Sequence, residues 1–173
     1  MPSQPKYQAK HVYWDAKNKI VRAGFDIEIY RCYGKLKLPP HIWRFDSQHE
    51  FKVYLELVRM YGEHRIERQF SVPIFPISCC YARGKSWKVD FALVNPNEPS
   101  EILYYIEAKG AFLTEFALTL AAFEQHQYER FERIKIIFPN RLPSKNNVVK
   151  SLLKSPFKDN LLTLSELKER ALL

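Results

Sequence analysis

Residues 87–94 read WKVDFALV and residues 102–109 read ILYYIEAK, and these two segments decide the fold. Both are mostly apolar, and the stretch NPNEP at 95–99 between them carries a strong turn signal. Two such runs joined by a turn predict an antiparallel hairpin. Because both runs are too apolar for a sheet with one face in water, we expect central strands that are covered on both faces.

The segments on either side of the hairpin predict a mixed sheet sandwiched by helices. Ser47 and Glu50 have the spacing of a capping box, so a helix is expected from there to Gly62. The other expected elements are an edge strand at 66–75, a long helix at 113–131, a strand at 133–138, a helix at 148–154, a short strand at 161–163 and a final helix opening at Ser165. This order is that of an α/β domain.

The first 44 residues predict a β-rich extension in front of a domain that covers residues 45–173. A strand, a turn and a second strand are expected across residues 13–21. Residues 25–30, FDIEIY, alternate apolar and polar side chains as a half-buried strand does. Two prolines, Pro39 and Pro40, then interrupt the chain.

The composition argues against disordered, fibrous and membrane-spanning classes of protein. Of 173 residues, 46% are hydrophobic and 14% aromatic, and no apolar run reaches the roughly 18 residues of a membrane span. The three cysteines, Cys32, Cys79 and Cys80, lack the spacing of a zinc site and are expected to be reduced packing residues. The first residues do not have the pattern of a secretory signal, so we expect a cytoplasmic protein.

The formal charge of +8 is unevenly distributed along the chain. Residues 1–45 and residues 133–173 each carry nine Lys and Arg against three Asp and Glu, whereas residues 46–132 carry nine against thirteen. Basic flanks suit a polyanion such as nucleic acid, and an acidic centre suits a cation. Basic flanks are equally compatible with an ordinary solvated surface, so the charge alone does not decide the function.

Three charged residues stand where the hairpin strands are otherwise apolar. Asp90 lies inside the first strand, where a carboxylate is costly unless something compensates it. Glu107 and Lys109 are two residues apart at the end of the second strand, so they project from the same face. If the two strands pair, Asp90 lies on the neighbouring strand within reach of both.

Two carboxylates and one amine in a single pocket suit the hydrolysis of a phosphodiester. Asp90 and Glu107 offer the oxygen ligands that Mg²⁺ prefers, and the carbonyl of Ala108 adds a third. The metal lowers the pKa of a bound water and neutralises charge in the transition state. Lys109 is expected to orient the attacking water or to help remove its proton.

Asp90 followed by Glu107-Ala108-Lys109 resembles the D-x(n)-E-x-K signature of the PD-(D/E)XK, or restriction-endonuclease-like, nucleases. The predicted element order resembles their αβββαβ core over residues 45–140. The stretches FDSQHE, KVDF and YIEAKG are similar to those of small phage-type endonucleases and of the endonuclease subunits of some transposons. Val89 stands where the family signature often has proline, and Glu50 falls where many members carry a further acidic residue.

This resemblance implies a Mg²⁺-dependent DNA endonuclease, with Mn²⁺ as a possible substitute, in a phage or a mobile element (transposition, recombination or homing). It implies that Asp90, Glu107, Ala108 and Glu50 hold the metal and that Lys109 completes the catalytic set. DNA is the expected partner, together with a homodimer or a larger protein assembly that supplies a second active site. Three basic residues before Asp90 are expected to contact phosphates, although they are equally compatible with a solvated loop: Arg83, Lys85 and Lys88.

Other interpretations stay open at this point. Asp90 and Lys109 are also compatible with a structural ion pair across the hairpin, and Glu50 with a capping role alone. A catalytically inactive nuclease fold that binds DNA or a protein partner is the main alternative function. The sequence does not separate a DNA substrate from an RNA substrate, because nothing in it indicates recognition of a 2′-hydroxyl.

Overall fold

The computed structural model describes residues 11–22, 27–28, 30–32, 35–75, 84–111, 113–143 and 145–172. The chain divides into two compact units, residues 1–52 and residues 53–173. The division falls inside a helix, whereas the sequence places the boundary between residues 44 and 45. Within the described ranges no helix is both long and apolar enough to cross a bilayer.

The first unit contains a three-stranded antiparallel sheet in the order β2-β1-β5. Its strands are β1 (Val12–Asp15), β2 (Ile20–Arg22) and β5 (Ile42–Phe45), and a separate strand pair is formed by β3 (Arg31–Cys32) and β4 (Lys35–Leu36). The strand, turn and strand expected across residues 13–21 are confirmed. The first unit is therefore β-rich in its described part.

The strand expected at residues 25–30 is wrong where the structure describes it. Ile27 and Glu28 are helical, and the amide of Tyr30 donates to the carbonyl of Ile27 at 3.0 Å. Ile27 is nevertheless buried, so a local turn buries the apolar side chain that the alternating pattern assigned to a strand. Residues 25, 26 and 29 lie outside the described ranges.

Helix α1 (Gln48–Tyr61) begins and ends as the sequence predicts. Ser47 Oγ accepts from the amide of Glu50 at 3.0 Å, and Glu50 Oε2 accepts from the amide of Asp46 at 2.7 Å, which satisfies two donors at the helix start. Gly62 ends the helix with a φ of +83°, and a side chain there would collide with the ring of His64.

The second unit is built on a five-stranded mixed sheet in the order β10-β9-β8-β7-β6. The strands are β6 (Ile66–Phe75), β7 (Lys85–Val94), β8 (Ile102–Ala108), β9 (Ile134–Phe138) and β10 (Leu161–Thr163). The β7–β8 hairpin and the edge position of β6 are confirmed, and both pairs are antiparallel. Strands β8, β9 and β10 run parallel.

The long helix expected at residues 113–131 is interrupted at Gln127. It forms α2 (Thr114–His126) and a short α3 (Tyr128–Phe131). Gln127 leaves helical geometry, with a φ of −141°, and its side-chain amide donates to the carbonyl of Ile74 on β6 at 3.3 Å. The helix is therefore broken by a contact with a distant strand.

The carboxyl-terminal elements largely follow their sequence signals. Helix α4 (Asn147–Leu152) is capped by the side chain of Asn146, and a 3-10 helix spans Pro156–Asn160. Helix α5 (Leu164–Glu169) begins one residue before Ser165, because Thr163 and Glu166 form the capping box.

The central strands are covered on both faces, as their apolar composition predicts. On one face, Phe123 of α2 contacts Trp87 of β7 and Tyr105 of β8. On the other face, Tyr54 of α1 stacks on Phe91 of β7. The second unit is thus a mixed α/β layer structure with helices on both sides of its sheet.

Candidate active site

The regular alternation of strand β7 is interrupted at Asp90. Trp87 and Val89 belong to the core cluster that includes α2, whereas Phe91 packs on Tyr54 of α1. Residues two or four apart on a regular strand share a face. Val89 and Phe91 instead lie on opposite faces. The alternation of side chains along β7 is therefore out of phase on the two sides of Asp90.

The ladder between β7 and β8 stops at the same place. Their paired residues run from Val94 and Ile102 to Phe91 and Ile106. Beyond that point, the amide of Asp90 donates to Glu107 Oε2 at 3.2 Å, and the amide of Ala108 donates to Asp90 Oδ2 at 2.8 Å. Each carboxylate thus bonds the backbone of the opposite strand, which places both acids between the two strands.

A second irregularity stands opposite Asp90 on strand β6. Arg68 pairs with Phe91 and Phe70 pairs with Val89, so Gln69 occupies the position facing Asp90. Gln69 has a φ of +53°, in the left-handed region that costs a side chain about 1 kcal/mol or more. Strained backbone of this kind occurs preferentially at functional sites.

Glu107 and Lys109 project together, as their two-residue spacing predicts. Lys109 Nζ lies 2.5 Å from Glu107 Oε1 and 4.5 Å from the ring centroid of Phe116 on α2. The carboxyl side chain is only 4% exposed, while the lysine side chain is 27% exposed. The amine is therefore held between a buried acid and an aromatic ring, on a side chain that is partly exposed.

Burial raises the pKa of the Glu107 carboxyl above its ordinary value, and the negative charge of Asp90 raises it further. The ammonium of Lys109 acts in the opposite direction without cancelling the effect. The charged form of Glu107 is therefore short of positive charge in its surroundings. Perturbed acids of this kind concentrate at functional sites.

The two carboxylates fit a magnesium ion. Mg²⁺ is commonly held by one or two carboxylates and keeps several waters, and an added cation would relieve the repulsion between Asp90 and Glu107. The Ala108 carbonyl, on the residue between Glu107 and Lys109, is the third expected oxygen. Among the described residues, no group of three or more His, Cys, Asp or Glu side chains could hold a metal, so the fit rests on this pair.

The remaining predicted site residues have the following local settings. Glu50 belongs to the first unit, where it is buried and completes the capping box of α1, so its share in the metal site stays a prediction. Lys85 and Lys88 are exposed on β7, facing Phe75 and Ser71 of the edge strand. Arg83 lies outside the described ranges.

Two features of this site were missed by sequence reasoning. No sequence signal indicates Gln69, because its position opposite Asp90 is set by the register of β6 against β7. Phe116 fits the apolar stripe of α2 and was expected only to pack in the core, yet it also faces the Lys109 amine. A cavity of about 270 Å³ adjoins that amine and is lined in part by Trp87 and Thr119.

Comparison of the chain with models of known families, with curated proteins and with solved structures found no match.

Proposed function

We propose that this protein is a metal-dependent DNA endonuclease that hydrolyses phosphodiester bonds, with Asp90, Glu107 and Lys109 as its catalytic set. The observation that carries the proposal is the placement of two carboxylates between two strands where their ladder ends, with one amine on the buried acid. The acids are seventeen residues apart in the chain, so only the fold brings them together.

The element order supports a PD-(D/E)XK relationship. From α1 onward the chain runs helix, three antiparallel strands, helix and parallel strand, which is the αβββαβ order of that core. The proposed acids lie within the second of these strands, Asp90, and near the end of the third, Glu107. A setting in a phage or a mobile element follows from the sequence resemblance alone, as does assembly with a second copy or a larger partner.

The chain's own residues have distinct proposed roles. Asp90 and Glu107 bind Mg²⁺ or Mn²⁺, with the Ala108 carbonyl as the third protein oxygen. When bound, the metal supplies positive charge that acidifies an attacking water and neutralises the scissile phosphate. Lys109, held by Glu107 and by the ring of Phe116, donates to the water or to the phosphate and thereby orients the attack.

Incubation of the full chain with supercoiled plasmid and Mg²⁺ or Mn²⁺ tests the proposal. We expect nicking that EDTA abolishes, and Lys109→Ala should reduce its rate by about 100-fold or more while DNA binding in EDTA is retained. Lys52→Ala, at an exposed position on α1, is the matched control and should cut normally. Absence of nicking on supercoiled, branched and single-stranded DNA at every metal concentration would contradict the proposal.

A catalytically inactive DNA-binding or protein-binding module is the second candidate. One observation favours it: both carboxylates bond backbone amides across the gap between β7 and β8, which is a structural role in itself. This candidate predicts salt-dependent DNA binding that needs no metal. It also predicts that Glu107→Gln leaves binding intact and that no variant changes a cleavage rate.

A further inference from the structure

A second cavity of about 360 Å³ lies in the second unit, between the edge strand β6, the start of β8 and helix α3. It shares no lining residue with the Glu107–Lys109 pair. Its walls combine two aromatic rings with charged groups of both signs, namely Phe70, Glu101, Tyr105, Glu129, Arg130 and Arg133. This combination is polar enough to bind a charged ligand and apolar enough to exclude some of the surrounding water.

The hydroxyl of Tyr105 is a donor without a described partner in the fold. Tyr105 is only 5% exposed, and no described residue forms a hydrogen bond with its hydroxyl. Burial raises the pKa of this phenol, so it remains protonated and can donate. Arg130 and Arg133 line the same cavity as this phenol, and their positive charges oppose the effect of burial on its pKa.

The two arginines are arranged differently around this hydroxyl. Arg133 Nη1 donates to the carbonyl of Ile102 at 2.9 Å, which fixes one side of its guanidinium group. Arg130 forms no side-chain hydrogen bond or ion pair within the described part of the chain, although it lines the cavity. Two guanidinium groups and one phenol therefore line the same cavity with several donor hydrogens unused.

The carboxylates of the cavity limit the charge of its ligand. Glu101 accepts from the side chain of Asn95 at 2.5 Å, and Glu129 is exposed at the start of α3. Two acids offset the formal charge of the two arginines. A monoanion that accepts from several donors fits this setting better than a dianion, which the carboxylates would repel.

We infer that this cavity binds a phosphate group of a nucleic acid strand, with Tyr105, Arg130 and Arg133 as donors and the ring of Phe70 as an apolar wall. A phosphodiester carries one negative charge and two free acceptor oxygens, which match the unused donors. The phosphate monoester of a free nucleotide has the same acceptor chemistry but carries up to two charges. The choice of DNA as the strand rests on the proposed function.

Binding of a fluorescein-labelled single-stranded oligodeoxynucleotide to the full chain in EDTA tests this inference by fluorescence anisotropy. Arg130→Gln should weaken binding about three- to ten-fold and lower the salt slope by about one. Tyr105→Phe should weaken it about three-fold with an unchanged salt slope, because a neutral donor is lost. Lys52→Gln removes a charge at an exposed position on α1 and should leave both quantities unchanged.

The stability of Tyr105→Phe makes the result interpretable. Because the hydroxyl bonds no described residue, thermal unfolding of this variant should match that of the wild type, so weaker binding cannot be ascribed to misfolding. Wild-type affinity and salt slope in both Tyr105→Phe and Arg130→Gln would overturn the inference. Loss of affinity for thymidine monophosphate but not for the oligonucleotide would overturn the strand as the source of the phosphate.

The outcome is separable from that of the nuclease proposal, because binding is measured without metal. Weaker binding by Arg130→Gln in a protein that never cuts DNA would support the phosphate site and contradict the nuclease. Normal binding by both cavity variants in a protein that cuts DNA would support the nuclease and contradict the phosphate site.

Discussion

Asp15 in the three-stranded sheet and Glu107 in the five-stranded sheet are both strand carboxylates with almost no exposed side chain, 0% and 4% respectively. Asp15 accepts from the amide and side chain of Asn18 at 2.9 and 2.8 Å and forms an ion pair with Arg22. Within the described part of the chain, Glu107 has one amine and one weak backbone donor, and a second carboxylate stands beside it.

The difference bears on the proposal that Glu107 is a functional acid, whereas Asp15 is a structural one. The side-chain hydrogen bond from Arg22, followed by that from the Asn18 amide, holds the pKa of Asp15 well below its usual range. Burial and Asp90 instead raise the pKa of Glu107. An acid that its neighbours satisfy contributes to stability, whereas an acid left short of positive charge is ready for a ligand that supplies it.

The largest expected effect separates the two acids by activity. Glu107→Gln should reduce metal-dependent nicking by about 100-fold or more, because it removes a charged oxygen ligand. Asp15→Asn should leave nicking per folded molecule unchanged, measured at a temperature where circular dichroism shows both variants folded. Equal losses in the two variants would break the comparison.

The next effect concerns stability, and here the Asp15 variant rather than the Glu107 variant is expected to show the loss. Asp15→Asn should lower the midpoint of urea unfolding, since Arg22 then lacks its charged partner. Glu107→Gln should leave that midpoint unchanged or raise it, because the amide needs no compensating charge. Arg22→Gln is the matched control and should reproduce the loss seen in Asp15→Asn. A Glu107→Gln protein that is the less stable of the two would contradict the assignment.

The two acids should also act in different pH ranges. Between pH 4.5 and its raised pKa, Glu107 binds its proton more tightly in the folded state, so stability falls as pH rises. Asp15 has a lowered pKa, so its contribution is present above pH 3.8 and is lost on further acidification. Urea titrations across pH in EDTA should show the upper slope reduced in Glu107→Gln and the acid slope reduced in Asp15→Asn.

The smallest expected effect concerns the positive φ of Gln69, which lies on the strand next to the carboxylate pair. Gln69→Gly should stabilise the protein by at most about 1 kcal/mol, because glycine adopts a positive φ without a steric penalty. Gly62→Ala, at the glycine of positive φ that ends helix α1, is the opposed control and should destabilise. A destabilised Gln69→Gly variant would show that the side chain, rather than the backbone conformation, matters at this position.

Sequence reasoning predicted the second unit well where the signals are local. The two apolar runs and the NPNEP turn determine a hairpin, and the proline-containing strand at 66–75 lies at the sheet edge. The convergence of Asp90 with Glu107 also followed, since strand pairing and two-residue spacing are sufficient to infer it. These features depend on neighbours in the chain or on one hairpin register.

The features that were missed depend on distant contacts. The break at Gln127 reflects a hydrogen bond to Ile74, 53 residues away, and no periodicity indicates it. The change of facing at Asp90 lies opposite the positive φ of Gln69, which is on another strand. Residues 27 and 28 alternate like a strand yet close a turn, because burial alone does not distinguish the two.

Strand β6 is ten residues long and lies at the edge of its sheet, a position from which unprotected strands recruit other chains into aggregates. Pro73 has no amide hydrogen to offer, the register shifts between Pro73 and Phe75, and Gln69 twists the backbone away from extended geometry. The edge is therefore a poor template for intermolecular strand addition. Association with a second copy is correspondingly expected to use side-chain surfaces rather than a continuous intersubunit sheet, and the concentrated protein should resist fibril formation.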